Sequence, residues 1–426
     1  MRELDRVIGY ESIKQELYRI IDIIRNPVKY RKLGVSVPKG ILLSGDPGIG
    51  KTLMAKCFIK ETGLKVFVIR KDKPDGDFVD FIRETFDKAA KEAPSIVLLD
   101  DLDKFANEDD YHPDAEEYVT VQACIDDAKD SEVIALATCN DFDKLPESLV
   151  RAGRFDKCFF MHFPEIEDAK KIISFYLKDK KVGKDVDVEE IARFMEGHSC
   201  ADLELVINEA GISAGYENKK FISQEDIKKA VIDKIFGGGD YVESSPENER
   251  RLAVHEAGHA VLSELISPGQ VAFISIAARN RGIRGLVRTN KDPHSCDNFE
   301  NIEEDIMIAL AGKAATEIIL NEIDMGSRSD LRHANDSMRK LLDNVAAFDF
   351  HTWCHGRETS KRVYDHLDDA VGTELSRYYL KTKQLLGKNR AFLEAIIEKL
   401  LERKTLSYKD IAPIREKFVP GGNKAA

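Results

Sequence analysis

Short apolar runs alternate with longer charged segments over the first 160 residues. Five runs have strand length: GILLSG (40–45), KVFVIR (65–70), SIVLLD (95–100), EVIALATC (132–139) and KCFFMHF (157–163). They are apolar almost continuously rather than at alternate positions, which suits a parallel sheet covered on both faces. The segments between them read as helices, so the pattern predicts an α/β domain over 1–163. From 164 to 236 the pattern is helical throughout, with polar breaks at GHSCAD and NKKFIS, and predicts a small all-α subdomain. Gly237, Gly238 and Gly239 open a flexible joint over 237–245. Residues 246–418 are again mainly helical, with one strand-like patch, VAFISIAA (271–278), and 419–426 form a loose tail.

Composition narrows the function classes. With 43% apolar and 33% charged residues, the 426-residue chain is an ordinary globular one. Its 64 Lys and Arg against 76 Asp and Glu give a net charge of −12, which argues against a nucleic-acid partner. Seven scattered cysteines without a CxxC pair point to a reducing compartment. No apolar run approaches the ~20 residues that span a bilayer. A cytoplasmic protein is expected, with membrane contact only through an anchor outside these residues.

Gly45-Asp46-Pro47-Gly48-Ile49-Gly50-Lys51-Thr52 matches GxxxxGK[ST] between an apolar strand and a helix. Glycines there let backbone N–H groups wrap a phosphate chain, and the helix N-terminus adds its positive end. Lys51 would reach the β- and γ-phosphates of ATP and Thr52 would hold Mg²⁺. The run Leu98-Leu99-Asp100-Asp101 is an apolar strand ending in two carboxylates, the Walker B pattern. Asp100 suits metal ligation, Asp101 suits water activation, and Asn140, ending the next strand, suits water orientation. Arg151 and Arg154 in LVRAGRFD are candidate arginine fingers.

His255-Glu256-Ala257-Gly258-His259 is HExxH. Ser245 as N-cap and Pro246 at N1 predict a helix running to about Ile266. Residues i and i+4 project from one helix face, so His255 and His259 can share a Zn²⁺ ion. Glu256 then reaches the activated water and takes its proton as the water attacks an amide carbonyl. A third protein ligand must come from elsewhere. Spacing leaves Asp324, Asp330, His333 and Glu317 open.

An ATPase module followed by HExxH resembles the FtsH family of ATP-dependent AAA+ zinc metalloproteases. The similarity runs from Ile8-Gly9, which it places at the nucleotide, to the terminal helices. It includes LVRAGRFD, the lid segment GHSCADLELVINEAG and GSRSDL (326–331). It implies a multidomain architecture: an α/β AAA+ domain with a parallel sheet, a small all-α lid, and a mainly α-helical zinc protease domain. It also implies that Asp330 is the third zinc ligand, that the glycine-rich joint hinges the two halves, that Arg151 and Arg154 act on a neighbour's nucleotide, and that the chain forms a homohexamer. The expected activity is ATP-dependent zinc endopeptidase action on proteins. The alternatives are an ATP-gated peptidase with weak unfolding power and a nucleotide-switched remodeller with a vestigial protease.

Three features depart from the family. Asp101 stands where the family has Glu, one methylene longer, which predicts slow ATP hydrolysis. The family's aromatic-Val-Gly pore triplet aligns with Pro74-Asp75-Gly76, and Phe78-Val79 can take its role only if about one helical turn is missing. The family's N-terminal transmembrane helices have no counterpart within these residues.

Overall fold

A computed structural model describes residues 2–34, 37–71, 75–106, 108–109, 112–113, 115–151, 153–237, 245–277, 285–290, 298–323, 326–344 and 361–419. The chain divides into two compact units, Met1–Ile227 and Lys228–Ala426.

In chain order the first unit contains α1 (Glu11–Arg25), α2 (Pro27–Arg31), β1 (Gly40–Ser44), α3 (Lys51–Thr62), β2 (Lys65–Ile69), α4 (Asp75–Lys91) and β3 (Ser95–Leu99). A two-residue-strand hairpin, β4 (Glu108–Asp109) and β5 (His112–Pro113), precedes α5 (Ala115–Asp127), β6 (Val133–Cys139) and β7 (Lys157–Phe160). The five longer strands form one parallel sheet in the order β2-β3-β6-β1-β7. The central strands β1, β3 and β6 are buried along their whole length. Their residues alternate between two cores. Leu42, Val97 and Leu99 pack against α4 and α5 with Phe78, Phe86 and Val121. Ile41, Leu43, Ile96 and Leu98 pack against α1 and α3 with Leu17, Met54 and Phe58. This two-sided burial explains why the strands read as unbroken apolar runs. Because the strands are parallel, the loops after β1, β3 and β6 leave from one edge of the sheet. The phosphate-loop motif, Asp100-Asp101 and Asn140 therefore meet there.

Two expectations are corrected here. The last strand stops at Phe160 instead of reaching Phe163, because its partner β1 ends at Ser44, whose carbonyl takes the final ladder bond from the Met161 N–H (2.7 Å). Phe78 and Val79 do not offer an aromatic grip. Phe78 is fully buried in α4, with its ring edge-on to Phe105 at 5.1 Å, and Val79 is buried beside it. Pro74 lies outside the described residues.

Four helices follow: α6 (Ile166–Leu177), α7 (Val188–Phe194), α8 (Cys200–Tyr216) and α9 (Gln224–Phe236). The polar break GHSCAD is the start of α8. Ser199 Oγ accepts the Asp202 N–H (3.1 Å), and Asp202 Oδ2 accepts the Ser199 N–H (3.2 Å), a reciprocal cap. Of the glycine joint, Gly237 is described, and 238–244 lie outside the described residues, as does 420–426 of the tail.

The second unit is built on α10 (Pro246–Ile266), β8 (Val271–Ser275), β9 (Leu286–Thr289), α11 (Phe299–Leu320), α12 (Arg328–Arg339), α13 (Lys361–Lys388), α14 (Arg390–Arg403), β10 (Thr405–Ser407) and α15 (Tyr408–Phe418). The single strand-like patch is in fact the centre of a three-stranded antiparallel sheet, β10-β8-β9. The flanking strands are too short to show a period of their own. Helices α10 and α11 cross with backbones almost touching. A Cβ added to Gly258 would lie 2.5 Å from the Ala311 carbonyl oxygen and 2.6 Å from Ala315 Cβ. Small residues on both helices make that approach possible.

Candidate active sites

The first site follows from the loop between β1 and α3. Gly45, Gly48 and Gly50 adopt φ of 142°, 80° and 100°, a region disfavoured for other residues. Side chains would also be excluded sterically: a Cβ on Gly45 would lie 2.1 Å from the Met161 carbonyl oxygen, and one on Gly48 2.8 Å from Ser199 Oγ. Ile49 is buried and anchors the loop, whereas Asp46, Pro47 and Gly48 are exposed. No side chain caps the N-terminus of α3, so its first N–H groups remain for a phosphate. Lys51 Nζ is turned inward, donating to the Gly45 and Asp46 carbonyls (2.7 Å each). Burial pulls its ammonium below the usual lysine range, against the opposing charges of Asp101 and Asp103. Half-buried Thr52 begins the helix beside it.

Asp100 is nearly buried. Its Oδ1 accepts from Thr138 Oγ1 (2.8 Å) and its Oδ2 from Arg70. Burial raises its carboxyl, but these two donors outweigh burial and hold it below the usual range. Asp101 has φ 58° and sends its N–H to the same Thr138 oxygen (2.9 Å). Its carboxylate accepts from Asn140 Nδ2 (3.2 Å) and from Lys104 Nζ (2.5 Å). The two expected water-handling residues are thus in direct contact. Gly9, at φ 79°, packs against Asp168 of α6, and half-buried Ile8 precedes it. Tyr10, the next residue, donates its hydroxyl to the His162 carbonyl (2.6 Å) and lies 3.1 Å from the Ile49 carbonyl, tying the N-terminal segment to the loop. Arg151 is exposed. Arg154 is buried and turned inward, forked onto Asp126 (3.2 and 2.8 Å) and also bound to the Ser148 carbonyl.

The second site lies on the crossing of α10 and α11. Ser245 Oγ accepts the Asn248 N–H and starts α10 at Pro246; the helix runs to Ile266. His255 Nε2 and His259 Nε2 lie 3.1 Å apart. Asp330 Oδ2, from the first turn of α12, is 3.2 Å from the one and 3.6 Å from the other. His259 Nδ1 faces the Ile308 carbonyl at 2.7 Å. A neutral ring donating there presents a bare Nε2 lone pair to the other two donors. Among the described residues these three form the one group of His, Cys, Asp or Glu able to hold a metal. Burial raises the Asp330 carboxyl, but the two imidazoles more than offset this and hold it well below the usual range.

Three donor atoms facing one another in this way can share a cation between them. Tetrahedral zinc, with ligand bonds of about 2.0–2.1 Å, sets its donors about 3.3 Å apart, which these spacings match. Gly312 makes the cluster sterically possible, since a Cβ there would lie 2.5 Å from both His255 Cε1 and His259 Nε2. Glu256 is buried beside the pair, and a Cβ on Gly285 would lie 2.4 Å from its Oε1. Of the other ligands left open by spacing, Glu317 is bound by Lys313 and Lys383, His333 is exposed, and Asp324 lies outside the described residues.

Several participants had no sequence signal of their own. Thr138, Arg70 and Lys104 reach the Walker carboxylates only through the fold, and the Ile308 carbonyl is a backbone atom.

Comparison with known proteins matches a family to each part of the chain. Residues 41–163 match the ATPase family associated with various cellular activities (AAA), 185–229 the AAA+ lid domain, and 242–414 peptidase family M41. An ATP-dependent zinc metalloprotease FtsH 3 from Petrotoga mobilis is 30% identical over 96% of this chain and 68% of its own length. An ATP-dependent zinc metalloprotease FtsH from Ruminiclostridium cellulolyticum is 30% identical over 98% of this chain and 72% of its own. The chain belongs to the FtsH family of ATP-dependent zinc metalloproteases. A further FtsH, from Thermus thermophilus, is 28% identical over 96% of the chain and 70% of its own length. As a family member the chain is an ATPase-driven zinc metalloendopeptidase, with ATP, Mg²⁺ and Zn²⁺ as cofactors. No described helix is long and apolar enough to cross a membrane.

Proposed function

We propose that this chain cuts protein substrates at the His255–His259–Asp330 centre, powered by ATP hydrolysis at the Gly45–Thr52 loop. The observation that carries the reading is the convergence of the three donor atoms within about one tetrahedron edge beside buried Glu256. Zn²⁺ held there supplies Lewis acidity toward a peptide carbonyl and toward water. Glu256 takes a proton from the attacking water and returns it to the leaving amine. The Ile308 carbonyl keeps His259 in the tautomer whose Nε2 is free to ligate.

At the ATP site, the backbone of Gly45, Asp46, Pro47, Gly48, Ile49 and Gly50 cradles the phosphates. Lys51 leaves the loop carbonyls for the phosphate oxygens, and Thr52 and Asp100 hold Mg²⁺. Ile8 and Gly9 face the base. Asp101 and Asn140, already hydrogen-bonded, orient and deprotonate the attacking water. Arg151 is the exposed arginine and acts on the nucleotide of a neighbouring subunit. Arg154, bound to Asp126, holds the segment that presents it. That trans role calls for a ring, which we take to be a homohexamer. The working domains are 1–163 (nucleotide-binding), 164–236 (lid), 237–245 (linker), 246–418 (protease) and 419–426 (tail). The cytoplasm is the expected location, or the cytoplasmic face of a membrane if an anchor lies outside these residues.

The test is degradation of an unfolded protein by wild type and Glu256→Gln. Proteolysis should fall by about 10²–10⁴ while ATP hydrolysis is retained. Equal degradation by both would remove the assignment. A second reading, a peptidase with weak unfolding power, is favoured by the burial of Phe78 and the polar run Lys71-Asp72-Lys73-Pro74-Asp75-Gly76-Asp77 that precedes it.

A further inference from the structure

Asp100 is the last place in the ATP site where a basic side chain is expected, because its carboxylate is reserved for a metal. Yet Arg70 is bound to it. Arg70 directly follows β2, and Asp100 directly follows β3. The ladder between these strands ends with the Asp100 N–H on the Ile69 carbonyl (3.0 Å), so the two side chains leave the sheet edge side by side. Asp100 Oδ1 is committed to Thr138, which leaves Oδ2 as the oxygen that a metal or its water would use. That is the oxygen Arg70 takes. The two partners differ greatly in exposure: the Asp100 side chain is 5% exposed and that of Arg70 61%. A buried carboxylate oxygen without a cation is costly, whereas an exposed guanidinium loses little on swinging into water. The pair therefore satisfies Asp100 but can be displaced.

We propose that Arg70 is the resident counter-ion of Asp100, a positioning residue that Mg²⁺·nucleotide must displace in order to load. The inference rests on the reading of Asp100 as the Mg²⁺-side carboxylate. Arg70 sets the metal concentration at which the site fills, because each loading event exchanges its guanidinium for Mg²⁺ at one oxygen. The same exchange removes one contact at the end of β2. The adjoining Lys71 is held by buried Glu117 on α5 (3.6 Å), so with Arg70 bound this strand end is fastened at two consecutive residues.

The experiment is a Mg²⁺ titration of fluorescent ADP binding to the full chain, with a parallel series in EDTA. Arg70→Ala should lower the Mg²⁺ half-saturation about fivefold, leaving metal-free ADP affinity unchanged. Arg70→Gln keeps a hydrogen-bond donor for Asp100 without the charge and should behave like Arg70→Ala, while Arg70→Lys should stay near wild type. An unchanged half-saturation in both neutral variants overturns the proposal. So does an equal shift with and without metal, which would mean that Arg70 merely supports the fold of the loop. Asp100→Asn separates this proposal from the reading beneath it: if that variant keeps the wild-type Mg²⁺ dependence, Asp100 is not the metal-side group and the fault lies there.

Discussion

Gly312 lies where α11 meets the two imidazoles, and the space left by its missing side chain is filled by the ring atoms themselves. A Cβ 2.5 Å from His259 Nε2 would have to displace the ring or the helix. Gly312→Ala should therefore weaken zinc binding by at least about tenfold, the scale on which disturbed outer-shell contacts act. Zinc retained against a competing chelator is the measurement. Gly387→Ala, whose Cβ meets nothing within 4 Å, is the control. If Gly312→Ala keeps the wild-type zinc affinity, the imidazoles are not held as described. At the other site, Asp101 sits one methylene back from the water it is assigned to activate, with its carboxylate already bound to Asn140 and Lys104. Displacements near 1 Å cost around 10² in rate, so Asp101→Glu should raise ATP turnover about tenfold or more, with little change in KM. A steady-state ATPase assay showing no gain would remove Asp101 from the water-activating role.

Among the elements, α11 has the most demanding surroundings, packed on α10, α12 and α13. Glu317 fastens its end to α13, accepting from Lys313 (2.5 Å) on its own helix and Lys383 (2.9 Å) on the other. Burial raises this carboxyl, but the neighbouring Lys313, Tyr379 and Lys383 groups together outweigh burial and hold it at about 2, against an ordinary 4.5. A carboxyl depressed in the folded state adds stability above its unfolded pKa. That stability is lost as the pH falls from about 4.5 toward about 2. Glu317→Gln should thus lower stability at pH 7 by about 1–2 kcal/mol, a figure discounted for partial exposure. The deficit should shrink as the pH falls below about 4.5 and close only at about pH 2 and below. Melting of the metal-free protein across that range checks it, and a deficit that persists at pH 2 would contradict the ion-pair account. The same helices show what the sequence makes legible. The start and end of α10 were readable because Ser245, Pro246 and Ser267-Pro268-Gly269 act locally. β9 and β10 were not, since four and three residues carry no usable period and β10 finds its partner β8 across most of the unit. Asp330 falls between the two. Spacing placed it among four candidates, family resemblance singled it out, and only the packing of α12 brings its oxygen to the imidazoles.

For the whole molecule, the question is how much mechanical work the ATPase unit can do. Each unit has its own apolar core, and each carries one of the two candidate sites. Pulling a stable fold apart requires the ATPase to hold a substrate side chain while it moves, and aromatic side chains do this by burying large apolar area against the substrate. Here the residues between β2 and Phe78 read Arg70-Lys71-Asp72-Lys73-Pro74-Asp75-Gly76-Asp77, with no aromatic residue. The first aromatic after them, Phe78, is fully buried against Phe105 and lost to any grip. A polar, charged connection holds an extended chain weakly and sequence-independently. Flexible chains that need no pulling should therefore be degraded with ATP at least about tenfold faster than a stably folded fluorescent protein of the same length. ATP hydrolysis should be similar with either substrate, and EDTA followed by Mg²⁺ alone should restore ATPase activity without proteolysis. Rapid ATP-dependent loss of fluorescence from the folded substrate would show that the grip resides elsewhere, and that the departure at Pro74-Asp75-Gly76 has no mechanical consequence.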